Sequence, residues 1–310
     1  MKVFVAGHRG LVGSSVVRNA PEGIEIITIS RENLDLRDRS AVLDFLKINK
    51  PDSLILAAAK VGGIEANSQF QSRFLVDNLN IQNSVITAAA ELGIRNLVFL
   101  GSSCMYPKFA AQPIKEEYLL TGALEPTNEA YALAKISGTK LVQALNAETG
   151  YNYITLMPTN LYGPNDNFDL KSSHVPAALL RRLYEAKIAS KDSILVWGTG
   201  TPMREFMHVD DLAQACWFFL GKKIDAELVN VGTGIDISIS NFAQLLANIV
   251  EYKGAVYYDH SKPDGSPRKL LDTSRANSLG WNARIPLERG LVETYDWYID
   301  ALKRGEIRGV

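Results

Sequence analysis

The strongest constraint on the fold is an alternation, through the first half of the chain, of short β-branched segments with longer segments of helical periodicity. Five segments have the composition of strands, namely KVFVA, IEIITI, SLILAA, NLVFLG and YNYITLM. Between them lie helical patterns at LVGSSVVRNA, SAVLDFLKIN, about 70–92 and about 130–149. Strands that alternate with helices usually pair in parallel, so we expect an α/β protein with a doubly wound sheet.

Composition and charge exclude several classes of protein. The chain has 310 residues, of which 46% are hydrophobic, and this is enough for a large core. A formal net charge of −1 argues against a nucleic-acid binder. Gly7 interrupts the first apolar segment too early for the apolar core of a secretory signal, and no later apolar run has membrane-spanning length. We therefore expect a cytoplasmic protein without a membrane partner. Cys104 and Cys216 lack the spacing of a zinc site, so we expect free thiols, no metal and a core position for Cys216.

Glycines at positions 7, 10 and 13 follow the first strand and open a helix at Leu11 and Val12. This spacing lets the backbone approach a pyrophosphate, which the helix N-terminus attracts. A glycine triplet alone would also fit a plain strand-to-helix turn. Its place after the first strand of an α/β pattern favours a Rossmann-like dinucleotide site.

Two arginines suggest which dinucleotide binds. The second strand ends near Arg31, where an NAD site usually places a carboxylate, and a guanidinium there suits a 2′-phosphate. Arg9 lies beside the positive end of a helix dipole, which is unfavourable unless a phosphate faces it. We therefore predict NADP(H), although Glu32 argues the other way and either arginine could be a solvated surface charge.

The chain changes character after Tyr162, where the loop GPNDNFDLKSSH precedes a helix at about 175–187 and a mixture of short elements. Open α/β sheets bind ligands at their carboxyl edge. We expect a smaller α/β C-terminal substrate lobe there. The NADP-binding domain would comprise 1–163 plus about 205–232, and the substrate domain about 164–204 plus 233–310.

Three residues point to carbonyl reduction. Ser102 follows the fourth strand, and Tyr131 and Lys135 lie one helical turn apart. The lysine charge is expected to stabilise the tyrosinate, making the phenol a proton carrier near neutral pH while a nicotinamide supplies hydride. An isolated Tyr-x-x-x-Lys pair is more often a solvated helix pair. The glycine loop and the strand-end serine favour the catalytic interpretation.

Over nearly its whole length, the chain resembles the extended short-chain dehydrogenases/reductases that act on nucleotide sugars. The glycine and Tyr-Lys motifs are general to that superfamily, whereas other motifs are more specific. The matching segments are GHRGLVG, LAAAKVGGI, LGSSCMYPK, LEPTNEAYALAK, MPTNLYGPNDNF, SSHVPAALLRR, VWGTGTPMREFMHVDD, NVGTG and KPDGSPRKLLD.

The resemblance implies NADPH-dependent epimerisation of GDP-4-keto-6-deoxymannose at C3 and C5, followed by reduction at C4. Ser102, Tyr131 and Lys135 would be the reductase residues, and Cys104 and His174 the epimerisation pair. A C4 ketone acidifies the hydrogens on both neighbouring carbons, and inversion needs an acid and a base. Without the resemblance, Cys104 would be interpreted as a buried apolar residue and His174 as a loop residue. The pattern leaves open which is the base at each carbon.

The resemblance also implies the binding residues. For the cofactor these are Gly7, Arg9, Gly10, Leu11, Val12, Gly13, Arg31, Leu36, Leu100, Gly101, Ser102, Ser103, Lys135, Pro158, Thr159, Asn160, Leu161 and His174. For the GDP-sugar they are Arg182, Trp197, Arg204, Asp264 and Lys269. Burial of Trp197 in the core and a local turn role for Asp264 are alternatives. Asp35 could lie near the adenine or in a solvent-facing loop.

Other functions remain open. A nucleotide-sugar 4-epimerase, a 4,6-dehydratase or another reductase could use the same scaffold, although a dehydratase would usually carry an acidic pair where Ser103 and Cys104 stand. A non-catalytic NADP-binding sensor is a more distant alternative, and the intact Ser102, Tyr131 and Lys135 argue against it. Family similarity further implies a homodimer formed through the long helices that flank the sheet.

Overall fold

The computed structural model describes residues 1–170, 172–224, 227–262 and 264–309. Pro263 of the KPDGSPRKLLD motif and the last residue of the expected substrate domain lie outside these ranges. The strands are β1 (Lys2–Ala6), β2 (Glu25–Ile27), β3 (Ser53–Leu56), β4 (Asn96–Leu100), β5 (Asn152–Pro158), β6 (Asn160–Tyr162), β7 (Ser193–Trp197), β8 (Met203–His208), β9 (Leu228–Val231), β10 (Asp236–Ser238), β11 (Ala255–Asp259) and β12 (Arg268–Lys269).

The helices agree closely with the sequence periodicity in the first half of the chain. They are α1 (Leu11–Arg18), α2 (Arg39–Asn49), α3 (Ile64–Gln69), α4 (Gln71–Glu91), α5 (Glu129–Thr149), α6 (Val175–Ile188), α7 (Val209–Phe219), α8 (Ile239–Val250), α9 (Ser274–Ser278) and α10 (Leu287–Arg304). None of the helices in the described ranges is long and apolar enough to cross a membrane.

The central sheet confirms the predicted α/β fold. Six strands pair in the order β2-β1-β3-β4-β5-β9, and every pairing is parallel. The chain runs outward from β1 to β2 and then returns to place β3 on the other side of β1. This reversal puts the glycine turn at a topological switch point, where doubly wound sheets bind ligands.

The two faces of the sheet bury different side chains. In β1, Val3 and Val5 pack on the face covered by α1 and α7, whereas Phe4 and Ala6 pack on the face covered by α2, α4 and α5. This alternation follows from the two-residue period of a strand. Helices on both faces bury most residues of the central strands, so their sequences are largely apolar.

The second half of the chain forms a separate apolar cluster at the carboxyl edge of the sheet. It packs α6, α8 and α10 around residues such as Leu183, Phe206, Phe242 and Tyr298, each at most 4% exposed. Strand β8 organises this region because it pairs with β6, β10 and β12. Strands β7 and β11 form a small parallel pair beside it.

Candidate active site

The glycine turn has the shape of a dinucleotide cradle. Gly7 has φ +90°, and a Cβ there would stand 2.6 Å from the backbone nitrogen of Ala58. A Cβ on Gly13 would lie 2.1 Å from the carbonyl oxygen of Gly7. Gly10 caps α1 without a side-chain hydrogen bond, and the first turn of this described helix carries no acidic residue. Its N–H groups therefore point at the space where a diphosphate would bind, so these residues fit a dinucleotide.

The arginines predicted for the 2′-phosphate lie at the same end of the sheet. Arg9 forms an ion pair with Glu32 at 3.1 Å, and both side chains are about two-thirds exposed. Solvent screens such an exposed pair, so a phosphate could displace the glutamate. Arg31 is exposed nearby. Asp35 is partly buried and bonded to Arg37, which holds the pKa of its carboxyl at about 2.

The structure brings the three predicted reductase residues together. Ser102 follows β4 and opens a short 3-10 turn at 103–105. Lys135 is 3% exposed on α5, and its Nζ donates to the Leu100 carbonyl at 2.8 Å. Its ammonium lies 6.0 Å from the centre of the Tyr131 ring. Ser102 also contacts the Tyr131 phenol.

Burial shifts the pKa values of both Tyr131 and Lys135. Burial raises the pKa of Tyr131, and the nearby Cys104 raises it further, while the Ser102 contact opposes the rise. Burial also lowers the pKa of Lys135 to about 8. Both groups lose solvation, and the ammonium is held at the Leu100 carbonyl, so burial favours the neutral phenol. A protonated phenol is the form that donates a proton to a ketone oxygen.

Cys104 and His174 lie in the same site. The Cys104 thiol donates to Ser102 Oγ at 3.2 Å and is 7% exposed. Burial raises the pKa of the thiol, which the charge of Lys269 opposes. His174 caps α6 and keeps an accessible surface, yet the surrounding protein, and then Lys269, lower the pKa of its imidazole. Both shifts favour uncharged forms, a thiol and a neutral imidazole.

Two of the predicted substrate cations are neighbours. Lys269 of β12 stands opposite Arg204 of β8 in the strand register. Burial lowers the pKa of Lys269, and Arg204 lowers it further. Burial lowers the pKa of Arg204, and the nearby Asp264 opposes this shift. Two neighbouring cations are a combination that suits an anionic ligand.

Asp264 and Trp197 occupy positions that the sequence left open. Asp264 accepts hydrogen bonds from the Thr199 amide at 2.7 Å and from the Thr199 hydroxyl at 2.8 Å. Its carboxylate therefore stabilises the turn after β7 rather than the PDGSP segment in which it lies. Trp197 is 58% exposed, which contradicts burial in the core, and Lys262 lies 5.3 Å from its ring. Arg182 is half-buried on α6, two turns after His174.

The remaining predicted cofactor residues line the carboxyl edge of the sheet. Leu100, Gly101 and Ser103 continue from β4, and the stretch 158–161 joins β5 to β6. Leu36 packs against the core beneath α2 and α4. Cys216 is fully buried in α7, as expected for a core residue.

Sequence reasoning missed two buried polar residues in this region. Glu205 is 0% exposed on β8, and Asn230 is 0% exposed at the end of the central sheet. Asn230 accepts from Tyr106 Oη at 2.6 Å and donates to the carbonyl oxygens of Ile114 and Asp272. Both residues lie in quoted motifs, Glu205 in VWGTGTPMREFMHVDD and Asn230 in NVGTG, but neither residue had been given a role.

A separate groove lies away from this chemistry. Its volume is about 900 Å³, and Glu116, Lys140, Asn152 and Arg275 are among its lining residues. None of the predicted site residues lines it. Within the described ranges, no group of three or more His, Cys, Asp and Glu side chains is arranged to hold a metal ion.

A doubly wound parallel sheet, a glycine cradle and a Ser-Tyr-Lys group at its carboxyl edge together define a nicotinamide-dependent oxidoreductase or epimerase. Comparison with known proteins supports this class. The model of the NAD dependent epimerase/dehydratase family matches residues 3–232. The chain belongs to that family.

Relatives of the chain share its full length. GDP-L-fucose synthase 1 of Arabidopsis thaliana is 51% identical, over 96% of this chain and 93% of the relative. A GDP-6-OMe-4-keto-L-xylo-heptose reductase from C. jejuni superposes with a TM-score of 0.91 at 35% identity, covering 96% of this chain and 97% of that one. A GDP-L-fucose synthetase from Naegleria fowleri bound to NADP superposes with a TM-score of 0.90 at 27% identity, covering 98% and 94% of the two chains.

Proposed function

We propose that this protein converts GDP-4-keto-6-deoxymannose to GDP-L-fucose with NADPH, by epimerisation at C3 and C5 and then reduction at C4. The observation that carries the proposal is the 3.2 Å hydrogen bond between the Cys104 thiol and Ser102 Oγ. It joins Cys104, one of the predicted epimerisation pair, to the predicted reductase residues through one hydroxyl. A single site can then bind the C4 oxygen during all three steps.

In this mechanism, Ser102 and Tyr131 hold the C4 oxygen of the sugar. Deprotonation at C3 or C5 leaves negative charge on that oxygen, which the two hydroxyls stabilise. Cys104 and His174 exchange protons at the two carbons. Their uncharged resting forms suit this role because a thiol can give a proton and a neutral imidazole can take one.

Reduction uses the same oxygen site. Bound NADPH supplies hydride to C4. Tyr131 then gives its proton to the C4 oxygen, and its raised pKa makes it the protonated partner before transfer. Lys135, fixed at the Leu100 carbonyl, provides positive charge on the same face of α5.

We also propose how the ligands are held. Gly7, Gly10 and Gly13 form the diphosphate cradle, and Arg9 and Arg31 meet the 2′-phosphate, which accounts for NADP(H) rather than NAD. Arg204 and Lys269 face the diphosphate of the GDP-sugar, and their closeness supports this assignment. The proposed substrate domain at about 164–204 and 233–310 supplies α6, α8 and α10 to one apolar cluster, although Tyr162 and Phe206 of the proposed NADP-binding domain also pack in it.

The protein is further proposed to be a cytoplasmic homodimer formed through α4 and α5. Val76 on α4 is 51% exposed and Leu133 on α5 is 44% exposed, and these helices pack against each other. A second copy would cover both side chains. Two buried free cysteines are compatible with a reducing compartment.

The test is turnover of GDP-4-keto-6-deoxymannose with purified protein and NADPH. We expect NADPH absorbance to fall in proportion to substrate and NMR to identify the L-fuco product. Solvent deuterium should appear at C3 and C5. Reduction without deuterium incorporation would favour a plain 4-keto reductase, as the heptose reductase neighbour is named. A steady absorbance at high enzyme concentration would refute the proposal.

A further inference from the structure

Glu205 is a buried carboxylate that the proposed mechanism does not use. It lies on β8 between Arg204 and Phe206 and is 0% exposed. Its Oε1 accepts from the amides of Thr233 at 2.6 Å and Gly234 at 2.8 Å, and its Oε2 accepts from the Leu271 amide at 3.0 Å. Because these partners donate, they satisfy an ionised carboxylate, which burial otherwise disfavours.

The NVGTG motif is shaped around this carboxylate. A Cβ on Gly232 would stand 2.2 Å from Glu205 Oε1, so any larger residue there would have to displace the Glu205 carboxylate. Successive amides that converge on one point form an anion-binding nest. In this turn the bound anion is the Glu205 carboxylate, so the amides of Thr233 and Gly234 are already paired without an external anion.

Glu205 connects three segments of the site. Leu271 stands two residues after Lys269, and Arg204 precedes Glu205 on β8. The Glu205 carbonyl also accepts from Thr159 Oγ1 at 3.2 Å and Asn160 Nδ2 at 2.8 Å, in the predicted cofactor stretch. Strand β12 is two residues long and pairs with β8 at two positions. The Leu271 bond to Glu205 adds to the backbone bonds that the flanking residues make with Met203 and Ile114, and it ties this segment to a β8 side chain.

We infer that Glu205 is a positioning residue that fixes the spacing of Arg204 and Lys269, and thereby sets the affinity for the diphosphate of the nucleotide sugar. The inference rests on the proposed function. Glu205 does not touch the ligand in this scheme. It acts by holding β12 beside β8, so that two cations that repel each other stay close enough to share one anion.

The decisive variant is Glu205→Gln, which keeps the volume but turns an amide NH2 toward backbone N–H donors. GDP affinity is measured by calorimetry, NADPH affinity by fluorescence, and folding by melting temperature. We expect GDP to bind about 10-fold more weakly or worse, with a matching rise in KM for the sugar nucleotide. NADPH affinity should fall less, by about 3-fold at most, because Thr159 and Asn160 both donate to the Glu205 backbone oxygen, which the substitution keeps, although Thr159 also interacts with the carboxyl group.

Asp211→Asn is the matched control. Asp211 is 1% exposed, and its two oxygens accept from the amides of Arg284 and Ile285 at 3.0 Å. It therefore anchors a loop with the same chemistry, but no proposed ligand residue lies on that loop. The melting temperature of this variant should fall, whereas its GDP affinity should not change.

If Glu205→Gln does not fold, Gln112→Ala decides the question. Gln112 Oε1 accepts from the Leu270 amide at 2.8 Å and so steadies the same segment from the other side without a buried charge. We expect GDP affinity to fall about 3-fold there, with NADPH binding unchanged.

Unchanged GDP affinity in the folded variant would overturn the inference, as would an equal loss of GDP and NADPH affinity. Wild-type protein that binds GDP but does not turn over the keto sugar would refute the proposed function instead. The effect of Glu205 on GDP binding would still be measurable in that case.

Discussion

Replacing Asp166 with asparagine should stabilise the protein above neutral pH. Asp166 is 5% exposed in the loop that leads to His174. Its Oδ1 accepts from the Asn167 amide at 2.7 Å, but its Oδ2 has no hydrogen-bond partner among the described residues. Burial raises the pKa of the carboxyl to about 7, against the opposing effects of the Asn167 amide and Arg308.

The sign follows from proton linkage. The pKa is 3.8 for the ordinary side chain and about 7 in the folded protein. Between these values the folded state keeps a proton that the unfolded state releases, so stability falls as pH rises through this window and is constant above it. About 3 pKa units at about 1.4 kcal/mol each give a loss of about 4 kcal/mol at pH 8.

The neutral carboxylic acid and the asparagine amide each leave one polar group unpaired. The difference in free energy of unfolding between the two proteins therefore measures the cost of ionising Asp166. We expect Asp166→Asn to be more stable than wild type by about 4 kcal/mol at pH 8 and by about 1.5 kcal/mol at pH 5. Reversible urea unfolding at both pH values measures this. Asp211→Asn, which loses an acceptor already paired with amides, should be destabilised at both. An Asp166→Asn variant with the same stability difference at pH 5 and pH 8 would refute the reasoning.

The other predictions concern catalysis and cofactor binding. Tyr131→Phe should lower the rate of keto reduction by about 100-fold or more while NADPH affinity, followed by fluorescence, is retained; unchanged turnover would exclude the phenol as the proton donor. Cys104→Ser and His174→Gln should each reduce deuterium incorporation from D2O at C3 and C5, read by NMR, and full exchange in both variants would remove the pair from the epimerase role. Gly13→Ala should abolish NADPH binding or folding, because the new Cβ would stand 2.1 Å from a carbonyl oxygen of the cradle. Normal affinity and melting temperature in that variant would contradict the described turn.

The first half of the fold was predictable because its signals are local. The predicted helix over about 70–92 corresponds to α4 (Gln71–Glu91), and that over about 130–149 to α5 (Glu129–Thr149). Periodicity and turn residues are properties of a short stretch, and parallel pairing follows from the order of elements. The segment IEIITI was predicted too long: β2 ends at Ile27, because an edge strand with one neighbour carries fewer pairing bonds.

Parts of the site could not be predicted because they depend on partners distant in sequence. Glu205 meets Thr233 and Leu271, which lie 28 and 66 positions away. Nothing within β8 distinguishes a buried carboxylate from an exposed one, since a strand period gives a face but not its neighbours. For the same reason, Trp197 could not be assigned to core or surface before the packing of β7 was known.

The order of residues by itself determined the parallel sheet, the glycine cradle and the one-turn spacing of Tyr131 and Lys135, because each depends on backbone preferences within a few residues. Tertiary structure decided the direction in which the pKa values of these groups shift, and it brought Lys269 close enough to act on both Cys104 and His174. Desolvation and charge–charge energies depend on what surrounds a side chain in space, and that surrounding is assembled only when distant segments pack together.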